Sequence, residues 1–159
     1  KLSFPTSYTP SGARAALGSS LAKLGVSYLD LYMLHSVGPS EKAMREAWAQ
    51  LEAFKREGLV RAIGVSNFGI RELRLLSSFA TEMPATLQNK FSVYHPGAQH
   101  NAAGEDFVSY AAEKGITLVA YCPLNAWPSA MAPVHDLHVA HVAARLGVSP
   151  AQGLLRWAV

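Results

Sequence analysis

The chain has 159 residues, half of them apolar, which is enough material for one sizeable hydrophobic core. Its net charge of +3 is small and no run of Lys or Arg stands out, so we expect no nucleic-acid partner. A single cysteine, Cys122, excludes an internal disulfide and a cysteine-rich metal site, and the apolar stretches fall short of the ~20 residues of a membrane span.

The start of the chain resembles the interior of a longer sequence. The first residue is Lys1, and Lys1 with Leu2 resembles the end of a β-strand. No secretory signal opens the chain, and one free cysteine fits a reducing compartment. We therefore expect a cytoplasmic protein of which this sequence is one part.

Four short, mostly apolar segments alternate with segments of helical periodicity. The apolar segments are typical of strands that are covered on both faces. The predicted strands are residues 28–35, 59–65, 86–91 and 116–121, the third being the weakest.

The predicted helices have recognisable ends. Ser11 is the expected N-cap of a helix that runs to about Leu24, where Gly25 ends it. Ser40 caps the second helix and Gly58 ends it. Further helices are predicted from about 70 to 76, from 107 to Gly115, from 137 to Gly147, and from Ser149 and Pro150 onward.

Strict alternation of strand and helix predicts βαβ units and a parallel sheet. An open dinucleotide-binding sheet carries a glycine-rich turn after its first strand, and no turn of that spacing occurs here. Its absence favours a closed barrel. Residues 123–134 form a loop longer than a barrel connection needs, and barrels keep function in the loops that follow their strands.

Five segments, in order and at matching spacing, resemble the aldo-keto reductase family. They are 29–35 (fourth strand), 58–68 (fifth strand and its loop), 88–96 (sixth), 120–124 (seventh) and 150–158 (the helix before the eighth). The resemblance covers almost the whole chain. It implies an incomplete TIM (β/α)8 barrel, from about the end of strand 3 to the helices before strand 8, with residues 1–159 as a single partial domain.

The resemblance implies two catalytic residues. His35 matches the histidine that orients the substrate carbonyl, and Lys1, followed by Leu2 and a Pro-containing loop that includes Pro5, matches the catalytic lysine that ends the third strand. The ordinary alternatives are a hydrogen-bonded core histidine and a solvated terminal lysine. In the family a tyrosine gives the proton and an aspartate holds the lysine. Both are expected upstream, and no tyrosine of this chain matches.

The cofactor side of the family site is better covered. Ser66 and Asn67 match the pair that hydrogen-bonds the nicotinamide carboxamide of NADPH, and Gln88 matches the glutamine that binds the same amide. An ordinary strand-to-helix turn with a capping role is the alternative for Ser66 and Asn67.

The segment from Tyr121 onward matches a second part of the cofactor site. Tyr121 matches the ring that stacks on the nicotinamide, and the backbone of Pro123 and Leu124 would lie near the pyrophosphate. The alternative for Tyr121 is a core aromatic residue.

Several residues depart from the family pattern. Ser36 and Val37 follow His35 where the family often has Trp-Pro, and the His-Pro pair lies farther from Gln88 than usual. Both departures leave the substrate open, and NADPH rather than NADH is a family expectation. The remaining histidines, including the three spaced by three residues, are expected at the surface or in loops, without a metal: His95, His100, His135, His138 and His141.

The resemblance implies NADPH-dependent reduction of aldehydes or ketones, with a small-molecule carbonyl as substrate. We expect the segment to be inactive alone and to self-associate through its open sheet edges. The alternatives are a non-catalytic relative that binds a partner protein, like the potassium-channel accessory subunits, and a truncated product that does not fold alone. Those accessory subunits do not keep the histidine that His35 matches, so the presence of His35 discriminates between a reductase and such a non-catalytic relative.

Overall fold

The computed structural model describes residues 1–3, 7–97, 106–125 and 132–159, and in these ranges helices and strands alternate. The strands are β1 (Leu29–Leu34), β2 (Val60–Ser66), β3 (Thr86–Lys90) and β4 (Thr117–Tyr121). The α-helices are α1 (Pro10–Leu24), α2 (Glu41–Arg56), α3 (Ile70–Ser77), α4 (Phe107–Glu113), α5 (Leu137–Leu146) and α6 (Pro150–Ala158), and a 3₁₀ turn spans Pro133–His135. All four predicted strands are confirmed, and each of their ends differs from the prediction by at most one residue.

Helix α1 begins earlier than the sequence predicted. Its N-cap is Thr9, whose hydroxyl accepts a hydrogen bond from the Gly12 amide at 3.2 Å, so the assignment of the cap to Ser11 was wrong. Pro10 explains the difference, because a proline is favoured in the first helical turn and lacks the N–H that would need a partner there. The predicted stop is confirmed, since Gly25 is left-handed with φ of 67°.

The other predicted helix ends are confirmed. The Ser40 hydroxyl accepts from the Ala43 amide at the start of α2, and Gly58 follows the end of α2 with φ of 74°. At the start of α6, Ser149 and Gln152 form a reciprocal capping box. These side chains satisfy backbone groups that a helix end leaves without partners.

The strands form one parallel sheet in the order β1-β2-β3-β4. Each strand pairs with the next one along the chain, which is the connectivity of a (β/α) barrel wall. Leu2 extends the sheet beyond β1 by an isolated parallel bridge to Leu34. The Leu2 amide donates to Met33 O at 2.7 Å, and the His35 amide donates to Leu2 O at 2.9 Å.

The two faces of the sheet have different environments. Leu34, Val65 and Leu87 are fully buried and belong to the main core, together with apolar residues of α2 and α3. The opposite face, here called the inner face, carries Met33 and Thr86, which lie beside Gly64 in neighbouring strands. A Cβ at Gly64 would lie 2.8 Å from Thr86 O, so this layer has room only for glycine.

Apolar side chains remain exposed on the last two helices. They include Leu137, Val142, Leu146, Leu155 and Trp157. Self-association through the sheet edges is not tested by these features and stays a prediction. Within the described ranges, no helix has the length and apolar character needed to span a membrane. Pro5, His100 and residues 126–131 of the predicted long loop lie outside the described residues.

Candidate active site

Lys1 and His35 lie on the inner face at the carboxyl end of the sheet. Leu2 and Leu34 are both fully buried, so they point toward the helices. Side chains alternate along a strand, which turns the residues on either side of this bridge to the opposite face. The His35 side chain is exposed among the described residues, and its role as the orienting histidine rather than a core histidine stays a prediction.

The predicted cofactor residues occupy the neighbouring strand ends. Ser66 is the last residue of β2 and pairs in register with Gln88 of β3, so the two side chains share a face. Tyr121 is the last residue of β4 and pairs with Lys90 of β3, two residues beyond Gln88 and therefore on that same face. Tyr121 is only part-buried, which argues against a core aromatic. Register thus brings together residues that lie far apart in the sequence.

Lys1 is in direct contact with one of the predicted cofactor residues. Its ammonium donates a hydrogen bond of 2.6 Å to Oε1 of Gln88. Lys1 is exposed but has a hydrogen-bond partner in the site, and its assignment as the catalytic lysine rather than a solvated terminal residue stays a prediction. The contact spans the inner face from the edge of β1 to β3. It puts a positive charge at the centre of the candidate site.

Asn67 connects several strand ends at once. Its Nδ2 donates to His35 O at 2.8 Å and to Ser66 Oγ at 3.3 Å, and its backbone amide donates to Gln88 O at 3.0 Å. Its Oδ1 accepts from the Tyr121 hydroxyl at 2.8 Å. The Asn67 side chain is thus bonded to His35, which follows β1, and to Tyr121, which ends β4. Its backbone amide is bonded to Gln88 of β3.

The backbone is left-handed at two of these strand ends. Asn67 has φ of 59° and Cys122 has φ of 55°. Asparagine tolerates this conformation, whereas cysteine adopts it rarely. Non-glycine residues in this region cluster at functional sites, where the surrounding structure holds them in place.

The environment favours a neutral imidazole at His35. Partial burial lowers the pKa of His35 below its ordinary value, and the positive charge of Lys1 lowers it further. The ring nitrogen Nδ1 lies 3.2 Å from the hydroxyl of Ser3. A neutral ring has one N–H to donate, which suits it to bind a carbonyl oxygen.

Tyr121 is a hydrogen-bond donor here. Burial raises the pKa of the Tyr121 phenol, and the nearby Cys122 raises it further. The protonated hydroxyl donates to Asn67, as described above. Pro123 and Leu124 follow this strand end, and their proximity to a pyrophosphate stays a prediction.

A cavity of about 300 Å³ adjoins the site, at the small end of the range for ligand pockets. Asn67 and Tyr121 line it, together with Glu72 of α3 and Lys90 of β3. The cavity therefore opens at the carboxyl end of the sheet, where barrel enzymes hold their substrates.

Sequence reasoning missed two residues near His35. Ser3 contacts the imidazole ring, and the buried Tyr8 hydroxyl donates to Ser36 O and accepts from the Ser36 amide at 3.3 Å. Tyr8 therefore fixes the backbone that follows His35. Neither residue belongs to a spacing pattern, so only the folded arrangement identifies them.

The donor set suits a primary carboxamide, which needs both hydrogen-bond donors and acceptors. Ser66, Asn67 and Gln88 supply a hydroxyl and two amides. In this structure the groups are bonded to one another or to Lys1 and Tyr121, and Ser66 is fully buried. A nicotinamide would therefore exchange these bonds for its own. The described residues include no cluster of three or more potential metal ligands.

Comparison with known proteins connects this geometry to a family. The Aldo/keto reductase family model matches residues 1–128. The chain is 38% identical to the Bacillus subtilis protein "Uncharacterized oxidoreductase YtbE", over 90% of this chain and 46% of that protein. It is 33% identical to human "Aldo-keto reductase family 1 member A1", over 97% of this chain and 53% of that protein.

A solved structure supports the same relationship. The aldo/keto reductase from Brucella melitensis is 28% identical and superposes with a TM-score of 0.80, over 98% of this chain and 56% of that chain. The chain spans about half the length of the relatives it matches. Its parallel sheet is the corresponding part of an incomplete (β/α) barrel, which confirms the predicted fold class. The chain belongs to the aldo/keto reductase family.

Proposed function

We propose that the protein carrying this chain reduces aldehydes or ketones to alcohols with a nicotinamide cofactor, NADPH by family expectation. The observation that supports this most directly is the arrangement on the inner face. His35 lies beside Lys1, and Lys1 is bonded to Gln88, one of the amide residues assigned to the cofactor. A carbonyl-orienting group, a positive charge and a carboxamide-binding set are thus adjacent.

The cofactor assignment follows from the donor set. Ser66, Asn67 and Gln88 would hold the carboxamide, and the Tyr121 ring would lie against the nicotinamide. When bound, the cofactor supplies the hydride that the carbonyl carbon accepts. The side chains around it orient the ring and replace water at the strand ends.

His35 and Lys1 act on the carbonyl oxygen. As the carbon is reduced, negative charge develops on that oxygen, and preorganised donors stabilise it. A neutral His35 donates an N–H to it, and the Lys1 ammonium contributes a favourable field. The family's proton donor is a tyrosine, and no tyrosine in this chain is assigned that role.

The rival function is a non-catalytic relative that binds a partner protein. Such a protein needs neither His35 nor a lysine beside it. The chain has both on the inner face at the carboxyl end of the sheet, which favours the enzyme.

The test is His35→Gln in the natural full-length polypeptide that carries this sequence. Reduction of a reactive aldehyde is followed by oxidation of NADPH, and cofactor binding is measured separately by fluorescence titration. We expect turnover to fall on the order of 10²–10³-fold, the effect of removing one oxyanion donor. Cofactor affinity should be little changed. His141→Gln, on an exposed position of α5, is the matched control. Equal losses of turnover and cofactor affinity, or unchanged turnover, would contradict the proposal.

A further inference from the structure

The backbone on both sides of the Ser3–His35 contact is fixed. Leu2 bridges Leu34, with hydrogen bonds from the Leu2 amide to Met33 O and from the His35 amide to Leu2 O. Ser3 and His35 each lie one residue beyond this bridged pair. Their side chains therefore emerge next to each other on the inner face.

The contact is made to one particular atom of the imidazole. Ser3 Oγ lies 3.2 Å from Nδ1 of His35. Among the described residues no hydrogen bond to Nε2 of this ring is found. Nδ1 is thus in contact with Ser3, whereas Nε2 has no hydrogen-bond partner among the described residues.

The identity of the occupied nitrogen matters because a neutral imidazole has one N–H donor and one acceptor nitrogen. Which nitrogen carries the proton is set by the hydrogen bond that the other makes. If the serine hydroxyl donates to Nδ1, the ring proton must lie on Nε2. The positive charge of Lys1 disfavours the doubly protonated ring, so a single tautomer decides what the ring can do.

We propose that Ser3 is a positioning residue that donates its hydroxyl hydrogen bond to Nδ1 of His35 and so holds the ring proton on Nε2. The Nε2–H then faces the inner surface as a donor for a carbonyl oxygen. This last consequence rests on the proposed reductase function, whereas the choice of tautomer does not. Ser3 acts only through His35 and touches no substrate.

The tautomer is measured directly by nitrogen NMR on the natural full-length polypeptide labelled at its histidine rings. His35→Gln removes one set of ring signals and so assigns His35. In the unaltered protein at neutral pH, we expect the shift pattern of a ring protonated at Nε2. Ser3→Ala should move the His35 nitrogens toward a mixture of the two tautomers, and Ser3→Thr, which keeps the hydroxyl, should restore the original pattern.

The control is Ser77→Ala, which removes another exposed serine hydroxyl that is bonded to a carbonyl within α3. It should leave the His35 signals unchanged. A ring protonated at Nδ1 in the unaltered protein would overturn the proposal, and so would identical His35 shifts with and without the Ser3 hydroxyl. Neither result depends on whether the protein reduces carbonyls.

Turnover provides the second measurement. Losing one neutral hydrogen bond typically lowers an equilibrium by about 2- to 10-fold, so Ser3→Ala should reduce kcat by about that factor while the cofactor Kd stays the same. Ser3→Thr should recover most of the loss. A tautomer change with unaltered kcat would leave Ser3 as the tautomer-setting residue and would count against the catalytic role of His35. Unaltered turnover in His35→Gln would identify the failure as that of the proposed function.

Discussion

The bonds of Asn67 predict an unusual order of stability among substitutions at that position. Asn67 is exposed and left-handed, with φ of 59°. Its side chain makes two hydrogen bonds of 2.8 Å, to His35 O and from Tyr121. Asn67→Ala removes these bonds and keeps a Cβ in a conformation that alanine disfavours. Asn67→Gly removes the same bonds but has no such penalty.

The magnitude follows from these two contributions. A net hydrogen bond contributes about 0.5–1.5 kcal/mol to the free energy of unfolding. The bonds of Asn67 are at the low end because the side chain is exposed, so their joint loss costs about 1 kcal/mol. The left-handed backbone costs alanine a further ~1 kcal/mol. Asn67→Ala should therefore destabilise the protein by about 2 kcal/mol. Glycine avoids the backbone cost but loses roughly 0.5 kcal/mol through its more flexible unfolded chain, so Asn67→Gly should be about 0.5 kcal/mol more stable than Asn67→Ala.

Urea unfolding followed by tryptophan fluorescence measures both variants on the natural full-length polypeptide. Glycine normally destabilises a loop relative to alanine, through the entropy of the unfolded chain. A glycine variant that is more stable than the alanine variant thus identifies the left-handed backbone. If alanine proves equal to or better than glycine, the positive φ at Asn67 is not maintained in solution and the reasoning is refuted.

Two further predictions concern Tyr121, which is bonded to Asn67, and Lys1, which is bonded to Gln88. Tyr121→Ala should weaken cofactor binding by roughly 1–3 kcal/mol, the scale of aromatic stacking on a base. Tyr121→Phe should bind the cofactor at least as well as the unaltered protein, because it frees Asn67 Oδ1. An unchanged cofactor Kd for the alanine variant in a fluorescence titration would refute the stacking role. Lys1→Met should raise the pKa of His35 in an NMR titration, because a positive charge that lowers it is removed. The pKa of His35 is lower in the folded protein than in the unfolded chain, so the stability that neutral His35 contributes is present above the unfolded pKa and is lost as pH falls to the folded pKa. Lys1→Met should narrow the pH range between these two pKa values. An unchanged His35 titration midpoint would contradict an electrostatic interaction between Lys1 and His35.

The local structure was largely predictable from the sequence because its causes are local. Three mostly apolar segments became β1, β2 and β4, the more polar segment 86–91 became β3, and Gly25 and Gly147 became left-handed helix ends. The exception is the start of α1, where two hydroxyl residues flank Pro10 and either could cap a helix. The position of a proline in the first turn decides between Thr9 and Ser11, because Pro10 is favoured directly after the N-cap.

The sequence predicted several residues of the candidate site but not Ser3 or Tyr8. The family pattern placed His35, Ser66, Asn67, Gln88 and Tyr121 at strand ends, and the register of the sheet brings those ends together. It did not predict which side chains contact one another. Lys1 and Gln88 are separated by 87 positions, and their hydrogen bond depends on the bridge at Leu2, which no local pattern encodes.

The hydrogen bonds already present at the strand ends reduce the net free energy that a carboxamide gains by binding there. Oδ1 of Asn67 is occupied by Tyr121, and Oε1 of Gln88 by Lys1. A carboxamide that binds these amides replaces existing hydrogen bonds, so its net gain is the difference between two sets of bonds rather than the sum of the new ones. The Tyr121 hydroxyl loses its Asn67 partner in that exchange. Cofactor affinity at this site should therefore depend more on ring stacking by Tyr121 than on the amides, because the amides exchange one set of hydrogen bonds for another whereas stacking adds a contact that the site does not have beforehand.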